Sequence, residues 1–287
     1  MEVLLKFGSV LRGISTLITV DTPSGQSQGT GFFYQEPGSD PPAEDQEWPD
    51  RLWVVTNRHV VLPETRNQAT LPNSFTFHLR RLKDGKVEWD PVVLNQQKLL
   101  SRLKLHPDSS VDVAIVDVLD LVTERIQNRG DYLTWYGVSE DQLPDNKQDI
   151  SVDVTDDALV VGYPLGFYDE HNMFPIVKSG IIASNWGDYF DGQPCFLIDA
   201  KLFPGSSGSI VISKPKDINM GNDEQGFWLS DDKEFAFLGI YSGEPYLQST
   251  PIELDDMTII RKSGFDVGTV WYASLVGAIV KGGVRYK

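Results

Sequence analysis

The chain is a succession of short strand-like runs broken by polar, Gly or Pro punctuation. They are Ile14 to Val20, Thr30 to Gln35, Leu52 to Thr56, Ser74 to Leu79, Val111 to Val118, Ala158 to Val161, Pro175 to Ser184, Cys195 to Leu202, Ser209 to Ser213, Phe235 to Tyr241 and Val267 to Tyr272. Runs of this length, bounded by turn-forming residues, fit strands and are too short for most helices, so the pattern predicts an all-β chain. Leu4, Phe7, Leu11, Ile14 and Ile18 recur at helical spacing, whereas the Thr/Val-rich run to Val20 favours a strand. A short N-terminal helix feeding the first strand reconciles the two. A helical piece is expected around Leu121 to Asn128, and Leu275 to Val280 suits a closing C-terminal helix ended by Gly282-Gly283. Hydrophobic residues make up 40% of the 287, enough to build a sizeable core.

Three polar residues stand at or near the ends of these runs. The segment Phe203-Pro204-Gly205-Ser206-Ser207-Gly208-Ser209 follows one run, Thr56-Asn57-Arg58-His59-Val60 closes another, and Val111-Asp112-Val113-Ala114-Ile115 opens a third. A serine between glycines, a histidine to take its proton and a carboxylate to fix the histidine tautomer make a Ser-His-Asp triad, and His, Asp, Ser is one of its known chain orders. Taken singly, each has a plainer reading: a turn, a strand-end histidine, a solvated aspartate. Ser207 is preferred to Ser206 and Ser209 because it alone has a glycine two positions before it and another directly after. Asp112 is preferred to Asp108 and Asp117 because it begins an Asp-apolar-Ala-apolar strand. Gly205, lacking a side chain, is expected to aim its N–H, together with that of Ser207, at a tetrahedral oxyanion. His78, His106 and His171 are expected to be solvated or structural. Four histidines and one cysteine give no metal-ligand spacing, so no metal and no other cofactor is expected.

These motifs resemble the trypsin-like, chymotrypsin-fold serine proteases, and more closely their HtrA-like branch. Gly29-Thr30-Gly31-Phe32 resembles the family's Gly-Ser-Gly-apolar strand, Thr56 to Val60 its Thr-Asn-x-His-Val, and Asp112 to Ile115 its Asp-Leu-Ala-Val. Val161-Gly162-Tyr163-Pro164-Leu165-Gly166, Ser179-Gly180-Ile181-Ile182-Ala183-Ser184 and Asp199-Ala200 through Ser209 resemble further family motifs in the same order. The resemblance implies two six-stranded antiparallel β-barrels, residues 1–135 carrying His59 and Asp112 and residues 136–287 carrying Ser207 and the oxyanion hole. It implies a serine endopeptidase that works through an acyl-enzyme on a protein or peptide substrate. By family register, Lys201 falls near the base of the specificity pocket, and Ser242-Gly243 on the strand that pairs with substrate backbone. Lys201 there either favours acidic side chains or snorkels to solvent. The alternative reading is a catalytically silent protease-fold module that binds peptide in the same groove.

The chain also departs from the pattern. Ser206 replaces the aspartate with which a newly cut N-terminus pairs in secreted relatives, so activation by such processing is not expected, nor is a PDZ-like module after the protease pattern. Glu36 to Asp50 is an acidic insertion without a basic residue, read either as a solvated loop or as a loop that governs the cleft or receives a regulatory protein partner. A formal charge of −16 should repel phosphate backbones, which argues against nucleic acid as a partner. Cys195 is the one cysteine, so no internal disulfide can form. Neither a signal peptide nor a membrane-length apolar stretch is apparent, and a cytoplasmic protein without membrane contact is expected.

Overall fold

The structure, a computed structural model, describes residues 7–38, 49–65, 68–128, 135–147, 150–215, 220–223, 226–229, 234–245, 247–248, 252–254, 257–259, 262–263 and 266–286. Helix α1 (Phe7–Ile14) buries Val10, Leu11 and Ile14 and runs directly into β1 (Ser15–Thr22), as the overlapping periodicities predict. The strands β2 (Gly25–Glu36), β3 (Arg51–Thr56), β4 (Ser74–Lys83), β5 (Lys86–Asn95), β6 (Leu103–Leu105) and β7 (Ala114–Asp117) complete the first half. Helices α2 (Arg58–Val61), α3 (Gln96–Arg102) and α4 (Leu119–Asn128) interrupt and follow them. In the second half β8 (Asp157–Gly162), β9 (Ile176–Ile182), β10 (Cys195–Asp199), β11 (Ile210–Ser213), β12 (Phe237–Gly243) and β13 (Val267–Tyr272) are followed by α5 (Ser274–Gly282) and β14 (Val284–Arg285).

The first half is an eight-stranded antiparallel sheet in the order β14-β6-β7-β3-β2-β1-β4-β5, and the second a closed antiparallel barrel in the order β8-β9-β10-β13-β12-β11. Together they form the chymotrypsin-like two-barrel fold. The last strand, β14, crosses back to pair with β6 of the first sheet. One apolar cluster spans both halves: Phe32, Trp53 and Val55 meet Val161, Ile210, Phe237 and Trp271, with Ile14 of α1 and Val276 and Ile279 of α5 closing its sides. Phe32 and Phe237 touch edge to face, with ring centroids 5.3 Å apart. No helix among the described residues is long and apolar enough to cross a membrane.

Two elements differ from expectation for identifiable reasons. The sequence gives no strand-like signal over β5 because Pro91 interrupts it; β5 lies at the sheet edge, where a missing N–H costs no ladder bond. Asp112 does not begin a strand: β7 starts at Ala114, and Asp112 stands in the loop before it. Residues 39–48 of the acidic insertion lie outside the described residues, and with them the regulatory reading of that loop.

Arg80 ties the halves together. It faces away from Phe75, Phe77 and Leu79, yet it is buried, because the segment after β8 covers that face. Its Nε donates to Met173 O at 2.7 Å, its other nitrogens reach Ser15 O and the Tyr163 hydroxyl, and its guanidinium lies 4.9 Å from the Trp89 ring centroid. Arg80→Met is expected to destabilise the protein by about 2 kcal/mol, since these acceptors lose charged donors while the packed volume is largely kept. A chemical-denaturation midpoint unchanged from that of the unaltered protein would show that the buried cation contributes nothing.

Candidate active site

His59 sits on the one-turn helix α2, directly after β3 ends at Thr56. Its Nδ1 lies 2.6 Å from Asp112 Oδ2, and its backbone N–H donates to Asp112 Oδ1 at 2.9 Å. One carboxylate thus holds both the ring and the main chain of His59. The Asp112 loop is fixed from the same side: Asn57 Nδ2 donates to Asp112 O at 2.8 Å, and an Arg58 nitrogen donates to Ser109 O at 3.0 Å. A carboxylate oxygen accepts, so this contact suits the His59 tautomer with its proton on Nδ1. Asp108, one of the competing carboxylates, instead caps a turn through the N–H and hydroxyl of Ser110.

The Phe203–Ser207 segment is a tight turn whose shape follows from its composition. Ser206 N–H donates to Phe203 O at 3.0 Å, and Gly205 has φ +88°. An i to i+3 bond with Pro at the second position and a left-handed glycine at the third is a type II turn, which Pro204-Gly205 favours over other turn types. Pro204 O accepts from Leu165 N–H at 2.6 Å, and Ser206 O accepts from Ser209 N–H at 2.9 Å. In a trans peptide the N–H points opposite to the carbonyl, so the N–H groups of Gly205 and Ser207 are turned away from these anchors. Among the described residues neither N–H has a protein acceptor, so both are available to an anion. Ser206 and Ser209 are buried and Ser207 is partly exposed, which leaves Ser207 as the accessible hydroxyl of the three.

Ser242 carries a role its sequence position did not announce. The β12–β13 register slips between Tyr241 and Gly243, and Gly243 has φ +147°. Such a bulge lifts a residue out of the ladder and re-aims its groups. Ser242 Oγ donates to Asp112 Oδ2 at 2.6 Å, and Ser242 O accepts from Ser207 Oγ at 3.1 Å. Expected as part of a substrate-binding strand, Ser242 therefore bridges the carboxylate and the serine; a Ser-Gly pair ending an apolar run is the available sequence signal. The Ser207 hydroxyl is hydrogen-bonded to this carbonyl and not to His59.

Lys201 follows β10 and is exposed. The Cys195 thiol is buried, and burial pushes its pKa up to about 11, so it stays protonated and inert at neutral pH. His78 is half-buried with Nδ1 2.8 Å from Leu17 O; burial lowers its pKa, and its role is structural. Among the described residues no three His, Cys, Asp or Glu side chains gather as metal ligands.

The Rv3671c protease of Mycobacterium tuberculosis, in its active form, shares 18% identity over 100% of this chain and 89% of its own, with a TM-score of 0.45. A serine endoprotease from Yersinia pestis shares 13% over 96% of this chain and 64% of its own (TM-score 0.47). An inactivated protease paralogue of the scabies mite shares 13% over 96% and 97% (TM-score 0.44). No curated protein matches the sequence. The family model described as the trypsin-like peptidase domain matches residues 29–217, more than half of the chain and a span that includes His59, Asp112 and Ser207. With that match on a two-barrel fold, the chain belongs to the trypsin-like peptidase domain family.

Proposed function

We propose that this protein is a serine endopeptidase in which Ser207 is the nucleophile, His59 the general base and Asp112 the carboxylate that fixes the imidazole. The observation that carries the reading is the doubly held His59, with Nδ1 against Asp112 and, among the described residues, no hydrogen-bond partner on Nε2. Rotation about χ1 takes the Ser207 hydroxyl from Ser242 O to His59 Nε2, which accepts its proton as Oγ attacks the scissile carbonyl carbon. The carbonyl π-electrons move to oxygen, and the N–H groups of Gly205 and Ser207 receive that charge. Losing one such donor costs about 2.7–4 kcal/mol of transition-state stabilisation. His59 then passes its proton to the departing amine, which leaves an acyl-Ser207. Water, activated by the same Nε2, hydrolyses the ester and restores the serine.

A fluorophosphonate reagent tests this directly. One covalent adduct is expected, located on Ser207 by mass spectrometry of digested protein. An adduct on Ser206 or Ser209, or none on well-folded protein, would transfer the assignment to the silent peptide-binding module.

A further inference from the structure

Thr30 lies on β2, in the first barrel, yet its polar groups serve the nucleophile turn of the second. Its Oγ1 donates to Gly205 O at 2.9 Å and accepts from Tyr163 N–H at 2.9 Å. Its backbone N–H donates to Ser207 O at 2.9 Å, and its carbonyl accepts from Thr56 Oγ1 at 2.7 Å, close to the root of the His59 helix. The residue is fully buried. We propose that Thr30 is a positioning residue for the oxyanion hole, its hydroxyl clamping the Tyr163–Gly166 turn to the Phe203–Ser207 turn so that the N–H groups of Gly205 and Ser207 stay aimed at the reacting carbonyl. The inference rests on the peptidase reading above.

The peptide planes transmit the effect. Gly205 N–H belongs to the peptide whose carbonyl, Pro204 O, is held by Leu165 N–H, and Leu165 stands two residues from Tyr163. Leu165 has φ +53°, an unfavourable backbone for leucine that needs support from its surroundings. Thr30 supplies support on both sides, because it pins Tyr163 N–H on one turn and the next carbonyl, Gly205 O, on the other. Among uncharged side chains of this size, a hydroxyl both accepts from an N–H and donates to a C=O at one atom. The backbone makes room for it. A Cβ at Gly162 would fall 2.8 Å from Thr30 Oγ1, and one at Gly208 would fall 2.0 Å from Thr30 O, so side chains at either place would push Thr30 away.

The test is the kinetics of fluorophosphonate labelling, resolved into affinity for the reagent (KI) and maximal rate (kinact). Thr30→Val keeps the shape and removes the hydroxyl; its kinact is expected to fall about 10²-fold, the scale of a misaligned reacting group. KI and the low-field His59 Nδ1 proton signal should not change, because neither depends on the hole. Thr30→Ser keeps the hydroxyl and should label close to the unaltered rate. Equal rates for Thr30→Val and the unaltered protein, or an equal fall in the Val and Ser variants, would overturn the proposal. If Thr30→Val does not fold, Thr30→Ser and Thr30→Ala, which both lack the methyl group, isolate the hydroxyl: slower labelling of the alanine variant supports the clamp, and equal labelling removes it. Absence of labelling in the unaltered protein would instead sink the peptidase reading itself.

Discussion

Ser207→Ala and His59→Ala are each expected to lower kcat by about 10⁶-fold, and the double variant to lose little beyond either. The non-additivity follows from the chemistry. Without His59 the Ser207 hydroxyl has no base, because its alternative partner is the Ser242 carbonyl, which accepts a hydrogen bond but cannot take a proton. Without Ser207 there is no oxygen to attack, and the base has nothing to activate except water. What survives comes from the free N–H groups of Gly205 and Ser207, which an alanine at 207 retains. The measurement is turnover of a fluorescent casein by the four proteins at equal concentration, with folding checked by the denaturation midpoint. If the double variant lost the sum of the two single-variant barriers, the residues would not act in one mechanism.

The sequence is most informative where local chemistry and tertiary role coincide. Val267 to Tyr272 is a short run rich in β-branched and aromatic residues that begins after Asp266, and the strand β13 occupies those residues. The Pro204-Gly205 pair is equally direct, since it limits the turn to a form that exposes the Gly205 N–H. The sequence says less where an element depends on its neighbours. Pro91 hides β5, whose edge position is a property of the whole sheet. Asn95 does mark the start of α3, its side chain accepting from Lys98 N–H at 2.9 Å, but a cap beside an unrecognised strand is easily missed. Arg80 falls on the polar face of its strand and reads as a surface charge; the residues that cover it are more than eighty positions away. Ser242 and Thr30 are the instructive cases at the site. Both belong to recognisable motifs, but their hydrogen bonds cross between the two halves and depend on a bulge and on glycine-lined space that no periodicity encodes.

Asp112→Asn is expected to lower kcat by about 10⁴-fold while leaving the site's shape intact, and the geometry predicts how. In the native site Oδ1 accepts the His59 backbone N–H at 2.9 Å, while Oδ2 accepts His59 Nδ1 and the Ser242 hydroxyl, both at 2.6 Å. An asparagine has one acceptor oxygen and one donor nitrogen, so its two orientations are not equivalent. Placing the NH₂ at the Oδ1 position would set it against a backbone N–H that cannot rotate, donor facing donor. Placing it at the Oδ2 position keeps the backbone bond, and the Ser242 hydroxyl can turn to present a lone pair. That second orientation leaves the NH₂ donating to His59 Nδ1. The imidazole proton must then move to Nε2, the atom that has to accept from Ser207, and the base is lost although no side chain has moved. Proton NMR of the variant should show the low-field Nδ1 signal gone, with the denaturation midpoint little changed and fluorophosphonate labelling slowed in step with turnover. Turnover near the unaltered level with the Nδ1 signal absent would mean that the tautomer held by Asp112 is not what activates Ser207.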